Sequence, residues 1–155
     1  MYPNTPATKA LEDSGLSVTV VRTEPPCSVE ESATLQGIDV DQLIRTIVVR
    51  RKRDDYVFVL VPGGREIDWA KLRAVLGVRR LSLPDLAEAR RATGYERGAI
   101  TPFGSSEAWP VIADTAVERR DRVAIGGGAR GVNLHLAPAE MIRHLGATVA
   151  DVTRS

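Results

Sequence analysis

The chain has 155 residues, 43% of them hydrophobic, and 21 Lys and Arg against 20 Asp and Glu give a net charge of +1. That length suits a single domain, residues 1–155, with enough interior for a real core, and the near-neutral charge excludes a bulk polyanion binder. No apolar run approaches the ~20 residues that cross a bilayer, the opening MYPNTPATKALEDSG has no signal-peptide pattern, and the single Cys27 closes no internal disulfide, so a soluble cytoplasmic protein without membrane contact is expected.

In chain order, TPATKALEDSG predicts a helix capped by Thr5, with Pro6 in its first turn and Gly15 at its end. LSVTVVR, rich in β-branched residues, predicts a strand. SVEESATLQG places Ser28 and Glu31 in capping-box spacing and closes a second helix on Gly37. LIRTIVVRRKRDDYVFVLV predicts a hairpin turning at Lys52 to Asp55; its RRKR run at 50–53 is either a solvated strand end or a nucleic-acid contact. PGG turns the chain into IDWAKLRAVLG, a helix capped by Asp68 and stopped by Gly77. LPDLAEARRATG repeats that grammar, with Pro84 in its first turn and Gly94 at its end.

The stretch YERGAITPFGSSEAWPVIAD, dense in Gly, Pro and Ser, predicts a loop running into a short strand at Val111 to Ala113. DRVAIG and VNLHLA are strands around a glycine loop, PAEMIRHLG is a last helix and ATVADV a last strand. Adjacent strands joined by short turns, without steady strand–helix alternation, predict an α+β (mixed α/β) fold, with a central mixed, largely antiparallel sheet and helices packed on it.

Gly126, Gly128 and Gly131 fit G-x-G-x-x-G letter for letter. A dinucleotide loop, however, needs a helix after the glycines, because the helix N-terminus faces the pyrophosphate. Here Val132, Leu134 and Leu136 alternate with Asn133 and His135, which is the period of a strand. The glycines therefore either make a wide turn or line a cavity where a ligand approaches bare main chain. His135 and His144 have no partner at metal-ligand spacing, Cys27 has no local base, and there is no G-x-S-x-G. No metal and no cofactor is expected. Eighteen of the cations are arginine, which reflects either GC-rich coding or a use for a planar, two-donor grip on phosphate.

Taken in order, TPATKALEDSG, VDQLIRTIVV, ATGYERGAITPFG, WPVIAD, IGGGARGVNLHL and ATVADV resemble the YbaK/ProX family of aminoacyl-tRNA deacylases, over about residues 5–153. The family's G-x-x-x-P signature is matched by Gly98, Ala99, Ile100, Thr101 and Pro102. The resemblance implies hydrolysis of the ester that joins a wrong amino acid to the 3′-terminal adenosine of tRNA. The aminoacyl-tRNA, tRNA for proline in the first place, is then engaged by its 3′ acceptor end, and prolyl-tRNA synthetase is the implied protein partner. Such an ester is already activated, so its hydrolysis asks for positioning and oxyanion stabilisation more than for a protein nucleophile.

By the same resemblance Gly98, Pro102 and Arg45 are the catalytic candidates, with Thr46, Asp114, Gly126, Gly127 and Gly128 lining the substrate pocket beside Ala99, Ile100 and Thr101. Asp114 either orients the substrate's ammonium group or water, or caps the turn after it. Arg45 stands where the family carries lysine. It keeps the charge and can grip phosphate, but it cannot act as a base. Three outcomes stay open: an anchor that preserves activity, an altered substrate, or a module that binds an aminoacyl or nucleotide end without cleaving it. A further alternative uses RRKR for RNA binding as a synthetase accessory. The amino acid removed is not implied.

Overall fold

The computed structural model describes residues 4–155; Met1 to Pro3, where the expected unit 1–155 begins, lie outside the described residues. Helix α1 (Pro6–Glu12) starts as its sequence requires. The Thr5 side chain accepts from the Thr8 N–H, the Thr8 hydroxyl accepts from the Thr5 N–H, and Pro6 sits in the first turn. It ends at Asp13, two residues before Gly15. Strand β1 (Thr19–Arg22) leads to α2 (Val29–Gln36), which Ser28 caps and a left-handed Gly37 stops. Glu31 reaches back to the Cys27 N–H at 3.3 Å, one residue ahead of the usual capping-box partner.

The predicted hairpin is β2 (Leu43–Lys52) and β3 (Asp55–Pro62), paired antiparallel from Ile44–Pro62 to Arg50–Tyr56. A two-residue β4 (Glu66–Ile67) precedes α3 (Trp69–Leu76), which runs from the Asp68 cap to Gly77. Helix α4 (Leu86–Thr93) is capped by Asp85, so Pro84 lies just outside its first turn. Strand β5 (Val111–Asp114) follows the loop, and β6 (Val123–Gly126) and β7 (Val132–Leu136) form the hairpin around the glycines. After α5 (Pro138–Leu145), the expected strand ATVADV is shorter, β8 (Thr148–Ala150), and a further strand β9 (Thr153–Arg154) follows beyond it. The break at Asp151 and Val152 sends β9 away to pair with β4, a partner too short to show in the sequence pattern.

The main sheet runs β1-β7-β6-β2-β3-β5-β8. Pairs β1–β7, β6–β7 and β2–β3 are antiparallel, and β2–β6, β3–β5 and β5–β8 are parallel, so the fold is mixed α/β with the two senses in equal number. Its central strands are covered on both faces, which explains why YVFVLV shows no alternation of polar and apolar residues. Ile44, Val48, Tyr56, Phe58 and Leu60 face α1, α4 and α5, whereas Val49, Val57, Val59 and Val61 face Leu72 of α3.

One polar cluster ties α4 to this sheet. The Tyr56 hydroxyl donates to Glu88, and the Arg50 guanidinium donates to both Glu88 oxygens at 3.0 Å. The bond from Tyr56 holds the Glu88 carboxyl below the ordinary range, while burial first and Glu88 second push Tyr56 up to about 12. A carboxyl whose folded pKa is depressed stabilises the fold above its unfolded pKa and loses that contribution as pH falls. Glu88→Gln is accordingly expected to lower the urea midpoint at pH 7, with the difference from wild type closing as the pH falls below the ordinary carboxylate range. Tyr56 acts at the other end, its contribution being lost between pH 10 and about 12.

Candidate functional site

Strand β6 stops at Gly126 beside Ile44 and Arg45, while β2 runs on to Lys52. At that step in the sheet lies a cleft of about 550 Å³. Four segments wall it: the start of β2, the loop at Arg97, Gly98 and Ile100, the turn from Gly126 to Asn133, and the approach to α2 from Pro26.

The loop is held from both ends. Its first residue, Gly94, takes the left-handed φ of 81° that closes α4. The Tyr95 N–H donates to Thr93 Oγ1 at 3.1 Å, and the Tyr95 hydroxyl spans the loop to the Phe103 carbonyl at 2.7 Å. Burial pushes that hydroxyl up to about 12, so it remains a donor throughout the neutral range. Trp109 Nε1 donates to the Ala92 carbonyl at 2.7 Å and closes the far side. Inside this frame the Ala99 N–H is taken by the Glu96 carbonyl at 3.0 Å. Ala99, Thr101 and Pro102 turn into the protein and are buried, so of the G-x-x-x-P signature Gly98 and Ile100 line the cleft. Gly98 has φ +86°, a conformation that L side chains rarely adopt.

Arg45 and Thr46 meet this loop from β2. Arg45 Nη2 donates to the Arg65 carbonyl. Its Nε and the Thr46 hydroxyl are buried without a protein partner. Buried polar atoms are nearly always satisfied, and leaving one unmade costs about 1–3 kcal/mol; Ser105 Oγ, away from the cleft, is in the same state.

Of Gly126, Gly127 and Gly128, the first lines the cleft, as does Gly131 further along the turn. A Cβ on Gly126 would lie 3.4 Å from the Ile100 carbonyl oxygen, so this glycine faces main-chain acceptors of the signature loop. Gly127 and Gly128 are spent on packing. A Cβ on Gly127 would come within 2.6 Å of Val132 Cγ1 and 3.0 Å of its carbonyl, and one on Gly128 within 2.9 Å of the Tyr95 ring. The Gly127 carbonyl also accepts from the Thr5 hydroxyl at 2.6 Å, which ties α1 to the loop. Gly127→Ala is expected to cost about 2 kcal/mol of stability, because part of what it strikes is backbone; thermal melting checks this.

Asp114 lies elsewhere. Its carboxylate is 1% exposed and is used up within the fold: Oδ2 accepts from Ala116 N at 2.9 Å, Oδ1 from Val152 N at 3.0 Å, and Arg65 Nε stands 3.9 Å away. Of its two expected roles it takes the capping one, at the head of the turn Thr115–Arg119. The RRKR run is engaged as well. Arg50 bonds Glu88, Arg51 bonds Asp55, and Arg53 lies 3.9 Å from Asp54, so these three arginines are matched by carboxylates.

His135 is bonded to Gln36 at 2.8 Å, and burial holds its pKa down; His144 stacks on Phe103. Neither lines the cleft. Cys27 does, with no histidine beside it among the lining residues. Among the described residues no group of three His, Cys, Asp or Glu could hold a metal, and no helix is long and apolar enough to cross a membrane.

Arg97, Arg130 and Asn133 also line the cleft and carried no signal of their own in the sequence. Arg97 and Arg130 fall inside the glycine-rich stretches 94–104 and 125–136, yet a loop has no period from which to read an inward face. With Arg45 they give the lining three cations, and no Asp or Glu lines it.

The aminoacyl-tRNA editing domain family matches residues 23–144. A candidate Cys-tRNA(Pro)/Cys-tRNA(Cys) deacylase, EbsC of Enterococcus faecalis, is 25% identical over 130 residues, 84% of this chain and 79% of that protein. Proline–tRNA ligase of Bacillus cytotoxicus is 33% identical over 127 residues, 82% of this chain but 20% of the ligase, so the chain spans about a fifth of such relatives. Among solved structures, a candidate trans-editing enzyme for prolyl-tRNA synthetase superposes with a TM-score of 0.86 at 25% identity, covering 99% of this chain and 100% of that one.

Proposed function

Because the chain belongs to the aminoacyl-tRNA editing domain family, we propose that it hydrolyses, in trans, the ester between a mischarged amino acid and the 3′-terminal adenosine of tRNA. One observation carries the proposal: Gly98 and Ile100 of the signature loop, Arg45 and Thr46 of β2, and Gly126 meet in a single cleft that no carboxylate lines. The names of the relatives support tRNA for proline as the carrier and prolyl-tRNA synthetase as the partner, at work in the cytoplasm where charged tRNA is used.

In this reading a water oxygen attacks the ester carbonyl carbon. The developing oxyanion is met by the Gly98 N–H and by the Arg45 cation, which act without reorganising. The bond to the ribose oxygen then breaks, that oxygen takes the proton released by water, and amino acid and tRNA with a free terminal diol leave. Pro102, Ala99 and Thr101 hold the loop from inside and Ile100 and Thr46 border the bound ester, so positioning supplies most of the acceleration.

A second reading, binding without turnover, is favoured by the Arg45 bond to the Arg65 carbonyl, which takes one of that cation's donors. Deacylation of tRNA for proline charged in turn with alanine, cysteine, serine, threonine and proline separates the two. Hydrolysis of at least one of these above the spontaneous rate is expected. Uniformly spontaneous rates, with the charged tRNA still bound, would establish the second reading instead.

A further inference from the structure

We propose that Arg97 and Arg130 form a phosphodiester subsite at the cleft rim that grips the backbone next to the terminal adenosine, an assignment that rests on the function proposed above. Both residues line the cleft and both are exposed. Neither makes a hydrogen bond or ion pair through its side chain among the described residues, and the nearest carboxylate in sequence, Glu96, is turned to Arg90 at 3.7 Å. The RRKR arginines on the hairpin, by contrast, are all matched by acids.

Arg130 also lies against the signature loop. Its Cγ, Cδ and Nε lie 3.6–3.8 Å from the point where a Cβ on Gly98 would stand, so its stem runs over the signature loop. Arg97 is joined to Gly98 from the other side by the peptide bond, which places the two arginines next to the same glycine.

The chemistry that suits two unpaired guanidinium groups beside a cleft without acids is the oxygen pair of a phosphodiester, which accepts from planar N–H forks. Adenosine bearing an amino acid fits the cleft through its ester, but it carries no phosphate. The subsite therefore separates a polynucleotide end from a free aminoacyl nucleoside. It gives the cleft a grip on the RNA backbone beside the ester-binding residues.

The test compares wild type with Arg97→Gln, Arg130→Gln and the double variant, their folding checked by thermal melting. Affinity is measured for the trinucleotide CCA, for adenosine, and for inorganic phosphate. Wild type is expected to bind CCA at least tenfold more tightly than adenosine. The double variant should lose at least tenfold on CCA, with a much smaller change on adenosine. The salt dependence of CCA binding should flatten by about 0.7 in log–log slope for each phosphate that the variant no longer neutralises. In turnover, the loss on charged tRNA should exceed the loss on aminoacyl-adenosine by tenfold or more.

Equal losses on CCA and adenosine, or no loss on either, would overturn the subsite, as would a wild type that binds both alike. Inorganic phosphate competing fully with CCA would show a site for free phosphate only and would also overturn it. Binding of CCA that depends on both arginines, in a protein that deacylates nothing, would sink the proposed hydrolysis and leave this subsite standing.

Discussion

Gly98→Ala is expected to lower kcat/KM for deacylation by about 100-fold while the protein still folds. The substitution meets no hard obstacle, since its Cβ would lie 3.6–3.8 Å from Arg130, an ordinary contact. The cost is in the backbone: at φ +86° an L side chain is strained by about 1–2 kcal/mol. The loop relieves that strain by rotating its peptides, which moves the main chain that faces the ester. A displacement of about 1 Å in a positioning group is enough for a 100-fold loss. Thermal melting should show a small decrease and single-turnover kinetics a large one. A fall in stability that accounted for the whole loss of activity would mean that the glycine serves the fold alone.

The second large effect is at position 45. Arg45→Ala removes the one cation that the sheet itself presents to the cleft and is expected to cost about 10²–10³ in kcat/KM, the range for deleting one oxyanion donor. Arg45→Lys should retain more, within about tenfold of wild type. The guanidinium bonds the Arg65 carbonyl through Nη2 and has Nε left for the substrate, whereas an ammonium has one nitrogen for both tasks. The measurement is kcat/KM at neutral pH beside a urea titration, since Arg65 loses a donor in both variants. A lysine variant that turned over much faster than wild type would show that the arginine impairs catalysis in this chain and would favour binding without turnover.

Much of the fold was legible in local grammar. Thr5, Ser28 and Asp68 cap helices because their side-chain oxygens meet orphan N–H groups, and Gly37 and Gly77 stop them in the left-handed conformation. Strand order was not legible, because the β2–β6 and β3–β5 pairings are parallel and join segments far apart in the chain. The end of ATVADV at Ala150, and the separate β9 just beyond it, depend on β4, whose two residues carry no period.

In the site, the resemblance picked out the segments, and packing decided which residues of each face the cleft. Within Gly98 to Pro102 the chain turns Ala99, Thr101 and Pro102 inward, and within Gly126 to Gly128 two glycines are consumed by packing against Val132, Tyr95 and Thr5. Asp114 was ambiguous between substrate and cap because both roles need an exposed-looking Asp after a strand; the backbone of Ala116 and Val152 takes its oxygens. Arg97 and Arg130 were hidden by lying in loops, where side-chain direction follows from tertiary packing.

The central claim is that the step beside Gly126 receives the aminoacyl-adenosine tip against Gly98 and Arg45. The most direct measurement is amide chemical-shift mapping with a non-hydrolysable amide analogue of aminoacyl-adenosine. The largest shifts are expected at Arg45, Thr46, Gly98, Ile100 and Gly126, with little change along β8 and β9. Shifts concentrated on the Arg50–Arg53 end of the hairpin, or no saturable shifts in the cleft, would contradict it.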